Sequence, residues 1–244
     1  STRLAGALGA TCNITNGTGS MTTSTGGAGT DTLSTAVAGG SKTVTLTAAS
    51  TGSVNTTATT GFSSIETLAG AASDTLQLKN TANTATISGA SSGSLGTGET
   101  FSGFGTLAAG SAGDTFNFTG GSVATVTGGV GTDVLSIAGA GGGKAVVLTG
   151  GKAGSIATVV TSGFTSIDTL TGAASDSLQL PAGTAKTVAI SGAKAATGEG
   201  YLSLRRVSTP VAGALGVPGN HTPGAGRAST ATGGAGQGQG GRCG

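Results

Sequence analysis

The chain contains few residues whose types and spacing could support catalysis. GASSG at 89–93 fits the Gly-x-Ser-x-Gly pattern of a serine nucleophile, which requires a strand-to-helix turn and a histidine base. The only histidine is His221, and the corresponding segment of an internal repeat, GAKAA at 192–196, has no serine. We therefore predict that this serine is not catalytic.

Other reactive arrangements are also missing from the sequence. The nine acidic residues are spread singly, unlike the paired carboxylates of a glycosidase. Two cysteines and one histidine are too few for a Cys/His metal site, and no phosphate-binding loop ending in Gly-Lys-Ser/Thr occurs. The sequence predicts a protein that is not an enzyme and has no small-molecule substrate.

The composition favours a β protein built from small side chains. Glycine supplies 50 of 244 residues, whereas charged residues make up 8% and aromatic residues 3%. So few charges argue against a helical protein, and glycine without a three-residue period excludes collagen. No apolar run approaches the roughly 18 residues of a membrane span, so we expect none.

Short strands are the local pattern. KTVTLTA at 42–48 places Val44 and Leu46 on one face and threonines on the other, which is the two-residue period of a strand. DTLQL at 74–78, DTFNF at 114–118 and KTVAIS at 186–191 alternate in the same way. Glycine-rich turns separate these segments.

An internal repeat of about 102 residues organises the first 200 residues. Residues 26–78 and 128–180 align without a gap, with 33 of 53 positions identical. The similarity extends to 19–98 and 121–199, and FSGFGTLAAGSAGDTFNF at 101–118 is a looser third copy. Such repetition is typical of architectures in which each unit packs on its neighbours.

We predict an all-β fold in which the strands form a parallel β-solenoid. The alternative is a series of small β-sandwich domains, because a 102-residue repeat has the length of one such domain. In the solenoid the large apolar residues of each repeat form the core. These residues are Phe62, Ile65, Leu68, Leu76, Leu78, Phe101, Phe104, Leu107, Phe116, Phe118, Phe164, Ile167, Leu170, Leu178 and Leu180.

The composition changes at residue 200. Residues 201–244 carry four arginines, no acid and three of the four prolines, so we predict a basic Gly/Pro-rich tail that is disordered or not native sequence. Arginine without interleaved aromatic residues does not indicate a nucleic-acid partner. Because the chain starts at Ser1 without a signal segment, we expect a processed form or a fragment of a longer protein.

Two segments resemble the calcium-binding nonapeptide of repeats-in-toxin proteins. GGAGTDTLS at 26–34 and GGVGTDVLS at 128–136 fit its Gly-Gly-x-Gly-x-Asp pattern. The resemblance implies a calcium site at Asp31 and Asp133, with the carbonyl groups of Gly27, Gly29, Gly129 and Gly131. Tandem nonapeptides normally share their ligands, whereas these two lie 102 residues apart. The alternative is that each aspartate accepts hydrogen bonds from nearby backbone N–H groups before a strand.

The phrases around the nonapeptides resemble the β-strand repeats of large bacterial adhesins, haemagglutinin-like exoproteins and surface-layer proteins. GFSSIETLAGAASDTLQL at 61–78 and GFTSIDTLTGAASDSLQL at 163–180 carry this resemblance, which covers roughly residues 12–200. It implies an extracellular or cell-surface segment with a structural or adhesive task. Its expected partners are a host or cell-surface ligand, or further copies that assemble into fibres.

A third function considered is ice binding by a flat β-solenoid face. Thr43, Thr45 and Thr47 alternate along one strand, and such rows can order water. The second repeat replaces Thr43 by Ala145 and Thr45 by Val147. This loss argues against an ice-binding face, and we interpret these threonines as β-forming residues that face solvent.

Overall fold

A computed structural model describes residues 2–4, 9–14, 23–55, 60–173 and 175–179, together with 188–192, 195–198, 203–205 and 211–212. All regular elements in these ranges are strands. The first half comprises β1 (Thr2–Leu4), β2 (Thr11–Asn13), β3 (Thr23–Thr25), β4 (Thr32–Ser34), β5 (Thr43–Ala48), β6 (Thr51–Val54), β7 (Thr60–Ser63), β8 (Thr67–Ala69), β9 (Thr75–Gln77), β10 (Thr84–Gly89), β11 (Ser92–Leu95) and β12 (Thr100–Ser102). The second half comprises β13 (Thr106–Ala108), β14 (Thr115–Phe118), β15 (Val123–Thr127), β16 (Val134–Ser136), β17 (Ala145–Gly150), β18 (Ala153–Ile156), β19 (Val160–Thr165), β20 (Thr169–Thr171), β21 (Ser177–Gln179), β22 (Val188–Gly192), β23 (Ala195–Gly198), β24 (Ser203–Arg205) and β25 (Val211–Ala212).

The strands form two long sheets. Sheet A has 13 strands in the order β1-β3-β7-β6-β5-β9-β13-β15-β19-β18-β17-β21-β25. Sheet B has 12 strands in the order β2-β4-β8-β12-β11-β10-β14-β16-β20-β24-β23-β22. Except within the hairpins, the chain turns a corner after each strand and enters the other sheet, so successive coils stack along one axis. The predicted all-β, solenoid-like fold is confirmed.

Among the described strands, four antiparallel hairpin units interrupt the parallel pairing, and the sequence did not predict them. β5-β6-β7 and β17-β18-β19 lie in sheet A, and β10-β11-β12 and β22-β23-β24 lie in sheet B. In each unit the chain folds back twice before it leaves the sheet. Ser50 and Ser91, with φ of 50° and 48°, lie in the first turns of two units, where a residue with positive φ suits a tight hairpin.

A glycine opposite a phenylalanine marks the middle strand of three hairpin units. Gly52 pairs with Phe62, and Gly93 pairs with Phe101. A Cβ on Gly52 would lie 2.7 Å from the Phe62 ring, so the aromatic ring covers the glycine and no larger residue fits. In the β22-β23-β24 unit the corresponding register pairs Ala196 with Leu204.

The hairpin units also explain why the sequence repeat is about 102 residues long. Residues 43–78 and 84–118 both consist of a three-stranded hairpin unit followed by two single strands. Three corners separate the β5-β6-β7 unit from the next unit, and five corners separate that one from β17-β18-β19. Each odd number of corners moves the next unit to the opposite sheet. Two units are therefore needed before the arrangement recurs on the same sheet.

The predicted core residues are buried between the two sheets. Fourteen of the fifteen are at most 3% exposed, and Leu180 lies outside the described residues. They belong to one continuous cluster that runs from Cys12 to Leu178. This continuity favours the solenoid over separate sandwich domains, because each sandwich would enclose its own core.

The predicted boundary at residue 200 lies outside the described residues. Beyond it, β24 pairs with β20, and β25 pairs with β21. Both sheets therefore include strands from the first residues of the predicted tail. The remaining tail, from residue 213 to residue 244, is not described.

Candidate functional site

Acidic residues at the starts of strands are the most distinctive polar groups in the molecule. Within the described ranges, every acid directly precedes a strand whose second residue is a buried leucine or phenylalanine. Burial is nearly complete for six of the eight, at 1% exposure or less: Asp31, Asp74, Glu99, Asp114, Asp133 and Asp176. A buried carboxylate requires hydrogen-bond donors to replace water, and most of these donors are backbone N–H groups.

The Asp31 carboxylate joins neighbouring coils. Its Oδ1 accepts the backbone N–H of Ala10 at 2.7 Å, and its Oδ2 accepts that of Gly27 at 2.7 Å. The N–H of Asp31 donates to Glu66 Oε2 at 2.9 Å. Ala10, Asp31 and Glu66 precede adjacent strands of sheet B. These hydrogen bonds therefore connect each coil of the stack to the next. We call Asp31 and Glu66 the first acid column.

Asp133 occupies the same position one repeat later. Its Oδ1 accepts the N–H of Asp114 at 2.8 Å, and its own N–H donates to Asp168 Oδ2 at 3.1 Å. We call Asp114, Asp133 and Asp168 the second acid column. Asp133 Oδ2 has no hydrogen-bond partner among the described residues. Gly129, which corresponds to Gly27, has a φ of +87° that Gly27 does not share.

The charges around Asp133 differ from those around Asp31. Burial raises the pKa of Asp133 to about 6, and the negative charges of Asp114 and Asp168 add to that increase, against the opposing Asp114 N–H and Lys152. Lys152 forms an ion pair with Asp168. Burial alone would raise the pKa of Asp168, but the hydrogen bonds from Lys152 and the Asp133 N–H outweigh burial, and the pKa is lowered.

The sheet A corners use the same device. Asp74 accepts the N–H groups of Lys42 at 2.8 Å and Ala71 at 2.9 Å, and also the Thr35 hydroxyl at 2.7 Å. Asp176 accepts the equivalent N–H groups of Lys144 and Ala173 at 2.8 and 2.6 Å. Asp74 and Asp176 thus each hold one N–H of their own turn and one of the adjacent coil.

Glu99 joins two hairpin units on different sheets. Its carboxylate accepts the Ser50 N–H from the β5–β6 turn and the Thr97 hydroxyl from the β11–β12 turn. Burial alone would raise the pKa of this carboxyl. These hydrogen bonds and the nearby Lys79 charge together lower the pKa by more than burial raises it, so the net change is downward. Glu99 therefore holds the β5–β6 turn against the β11–β12 turn.

The residues predicted to bind calcium lie in two separate corners. Asp31 and Asp133 precede β4 and β16, which are six strand positions apart in sheet B, or about 29 Å at the usual strand spacing. The described residues contain no group of three His, Cys, Asp or Glu side chains that could hold a metal. The hydrogen bonds of Asp31 agree with the alternative interpretation that this aspartate binds backbone N–H groups. Calcium binding at Asp31, Gly27 and Gly29, or at Asp133, Gly129 and Gly131, stays a prediction.

The partners of these aspartates were not identified from the sequence. Glu66 and Asp168 complete the two columns, and Ala10 supplies an N–H from the preceding coil. The sequence does contain a pattern that could have identified these partners. An acid precedes the strand motif [Thr/Ser/Val]-[Leu/Phe] eight times within the described ranges. That pattern marks the acids as a repeated feature of strand starts.

The outward threonines of sheet A form a row of limited length. Thr43, Thr75, Thr106 and Thr125 lie in register on four adjacent strands. The row then reaches Gly163. In the second repeat Ala145 pairs with Ser177, so the threonine row does not recur there.

Comparison with known proteins provides no relative. No protein-family model matches the chain, and neither a curated protein nor a solved structure matches it. In the part of the chain that the structure describes, no helix is long and apolar enough to span a membrane.

Proposed function

We propose that this chain is a non-enzymatic structural segment of an extracellular, repetitive bacterial surface protein, in which it acts as a stiff spacer for an adhesive element. The observation that supports this proposal is the unbroken stack of 13 and 12 strands around one core. Such an array transmits position along its axis because every coil is hydrogen-bonded and packed to the next. The resemblance of residues 12–200 to adhesin repeats supports the extracellular location.

The geometry of the repeat relates length directly to copy number. One repeat comprises the strands β3 to β14 and fills six strand positions in each sheet. At about 4.8 Å per position, each repeat adds about 29 Å to the stack. A parent protein could therefore set its reach by the number of repeats.

Self-association into fibres belongs to the same proposal. Among the described strands, β2 pairs only with β4 and forms one edge of sheet B. Unpaired N–H and C=O groups on such an edge can pair with a strand of another copy. A fibre built in this way would extend the stack beyond one chain.

A spin-label distance measurement tests the stiff spacer. Nitroxides on Thr32→Cys and Thr171→Cys, in a Cys12→Ala/Cys243→Ser background, lie on strands seven positions apart in sheet B. We expect one narrow distance near 34 Å, and the same distance in EDTA and in excess calcium. A broad distribution in both conditions would contradict a stiff spacer.

The comparison of the distances in EDTA and in calcium separates the proposal from a calcium-dependent β-roll. A distance distribution that is broad in EDTA and narrow in calcium, with a gain of β-sheet circular dichroism, would replace the proposal by that alternative.

Duplication of residues 23–124 provides a second test. Small-angle scattering should show a maximum dimension about 29 Å larger, and an unchanged dimension would contradict additive length.

A further inference from the structure

The two ends of sheet B occupy complementary positions of the repeat. Six strand positions make one period along the sheet, so β2 is equivalent to β14, and β22 is equivalent to β10. Inside the chain these two kinds of strand are neighbours, because β14 pairs with β10 in parallel. Among the described strands, β2 pairs only with β4, and β22 pairs only with β23. Sheet B therefore ends in the two halves of a pairing that it already makes once in its interior.

The hairpin register supports the equivalence of β22 and β10. Each is the first strand of a three-stranded hairpin unit in sheet B. In each the antiparallel register shifts between an isoleucine and a glycine, at Ile87 and Gly89 in β10 and at Ile190 and Gly192 in β22. The outer edge of β22 is thus the backbone counterpart of the edge of β10 that holds β14.

The equivalence of β2 and β14 rests on hydrogen bonds and on residue type. The residue before each strand donates its N–H to the aspartate of the next coil, from Ala10 to Asp31 and from Asp114 to Asp133. Both strands have threonine first and asparagine third: Thr11 and Asn13 in β2, and Thr115 and Asn117 in β14. The backbone of β2 is therefore placed like that of the strand that pairs with β10.

The edge of β2 presents hydrogen-bonding groups for such a partner. The N–H of Ile14 donates to the carbonyl group of Ser34 at 2.8 Å, towards β4. Alternate residues of a strand between two parallel neighbours bond to opposite sides. The N–H and C=O groups of Thr11 and Asn13 therefore point away from β4, as the equivalent groups of β14 point to β10.

We propose that copies of this chain stack head to tail, with β2 of one copy paired in parallel with β22 of the next. The inference rests on the self-association in the proposed function and names its partner strand and register. We call this contact the joint. The register of β14 on β10 carries over as three pairs: Cys12 with Val188, Asn13 with Ala189, and Ile14 with Ile190. Because the joint connects two different surfaces, it does not close on itself and extends into a fibre.

Sheet A must rearrange when the joint forms. It has 13 strands against 12 in sheet B, because β1 and β25 occupy equivalent positions at its two ends. In the joint these two strands would lie at the same level, so one of them has to leave. Two residue pairs hold β25 to β21, whereas three hold β1 to β3. We therefore expect β25 to leave and β1 of the adjoining copy to pair with β21.

Ala10 makes the joint weaker than the equivalent level inside the chain. Asp114 Oδ1 accepts the N–H of Asn83 at 2.6 Å and so ties the coil of β14 to that of β10. Ala10, at the position of Asp114, has no carboxylate for this bond. Ala10→Asp should lower the concentration at which sedimentation shows half of the protein assembled, by about tenfold. An unchanged or higher concentration would contradict the proposed register.

Disulfide trapping tests the partner strand directly. Asn13→Cys/Ala189→Cys, in the Cys12→Ala/Cys243→Ser background, places two thiols at opposite ends of one chain but at paired positions of the joint. Adjacent strands lie about 4.8 Å apart, within the usual Cα separation of a disulfide. Oxidation of the concentrated protein should give a ladder of multimers on a non-reducing gel.

The matched control moves one thiol by one strand. Thr197 pairs with Ala189 on β23, so Asn13→Cys/Thr197→Cys separates the thiols in the joint by about 9.6 Å, and no ladder should form. An equally strong ladder in this control would overturn the register. Dimers from Asn13→Cys alone, without a ladder in the double variant, would show that two β2 edges pair with each other; self-association would then stand and the head-to-tail joint would not.

A backbone variant tests the joint without cysteines. Asn13→Pro removes an N–H that faces the joint and leaves the bonds to β4, since proline is tolerated where the N–H of an edge strand faces solvent. With unchanged circular dichroism, it should assemble only at about tenfold higher concentration than Asn13→Ala, which keeps the N–H. Equal assembly of the two variants would contradict the joint. A wild type that stays monomeric at millimolar concentration would overturn both the joint and self-association, whereas the spin-label distances test the stiff spacer separately.

Discussion

Asp31 and Asp133 occupy the same position of the repeat and are equally buried, yet their carboxylates differ in hydrogen bonding. Asp31 has one backbone N–H on each oxygen, whereas Asp133 has an N–H on one oxygen and, within the described part of the chain, no partner on the other. In the preceding coil, the N–H that binds Asp31 belongs to Ala10, whereas the N–H that binds Asp133 belongs to Asp114. Both carboxylate oxygens of Asp31 accept a hydrogen bond, whereas the carboxylate of Asp133 lies near the negative charges of Asp114 and Asp168.

This difference shows that the local motif does not determine the environment of its acid. The carbonyl groups of the two aspartates are bonded alike, since the N–H groups of Thr67 and Thr169 donate to those of Asp31 and Asp133 at 2.9 Å, but the backbone of the turn differs, because Gly129 has a positive φ that Gly27 does not share. Neighbouring coils supply the rest of the environment. In a stacked fold each residue is surrounded by residues of the preceding and following levels, and these need not be identical between repeats.

The largest expected effect comes from removing the carboxylates. Asp31→Ala leaves the N–H groups of Gly27 and Ala10 without acceptors, and we expect a loss of about 2–5 kcal/mol in the free energy of unfolding. Asp133→Ala leaves one N–H without an acceptor and removes a repelling charge, so its loss should be about half as large. Urea denaturation at pH 7.5 measures both, and equal losses would contradict the contrast between the corners.

Amide substitutions sharpen the contrast. In Asp31→Asn one acceptor oxygen becomes an NH₂ group that faces a backbone N–H, and we expect a loss of about 1–3 kcal/mol. In Asp133→Asn the oxygen that binds Asp114 can remain, and the NH₂ group replaces the unpartnered oxygen. That variant should be as stable as the wild type at pH 7.5, or more stable by about 1 kcal/mol. A loss at Asp133 as large as that at Asp31 would show that its second oxygen has a partner.

Stability should depend on pH through Asp133. The folded-state pKa of Asp133 is about 6, whereas the pKa of an unfolded aspartate is about 3.9. Protonation of Asp133 therefore stabilises the folded chain fully below about pH 4, and this contribution is lost as the pH rises through about 6. Glu99 and Asp168 have lowered pKa values, so they stabilise above their unfolded pKa values and lose that contribution at lower pH. We expect thermal unfolding to show higher stability at pH 5 than at pH 7.5. Asp133→Asn should flatten that part of the profile, whereas Asp31→Asn should keep it.

The smallest effect is expected at Lys152. Its ion pair with Asp168 is partly exposed, so Lys152→Ala should cost less than about 1 kcal/mol. Because the Lys152 charge lowers the pKa of Asp133, the variant should move the midpoint of the pH profile upward. Lys144→Ala is the control on another corner and should leave the midpoint in place. A midpoint that does not move in Lys152→Ala would show that this lysine does not act on Asp133.

The core could be predicted from the sequence because strand alternation alone assigns each residue to a face. Leu76 and Leu78, two residues apart, are both buried, and Gln77 between them points outward. The hairpin units could not be predicted in this way. The segment 43–54 has the same alternation whether its strands pair with the next coil or with each other, and only long-range pairing separates these arrangements.

The acid columns were predictable only in part. The position of each acid before a strand indicates a carboxylate that caps a turn, and Asp74 and Ala71 form such a local bond. The bond from Lys42 to Asp74 joins residues 32 positions apart, and the pairing of Asp133 with Asp114 depends on which coils are adjacent. Coil adjacency follows from corner counts and hairpin reversals, which the sequence does not display.

By itself, the sequence determined the strand class, the 102-residue period and the inward positions, because these depend on local alternation, glycine placement and repetition. The tertiary structure decided which coils are neighbours. That choice sets the exchange of hairpin units between sheets and the contrast between Asp31 and Asp133. The physical reason is that hydrogen bonds and charges act between levels of the stack, where residues distant in sequence lie about 5 Å apart.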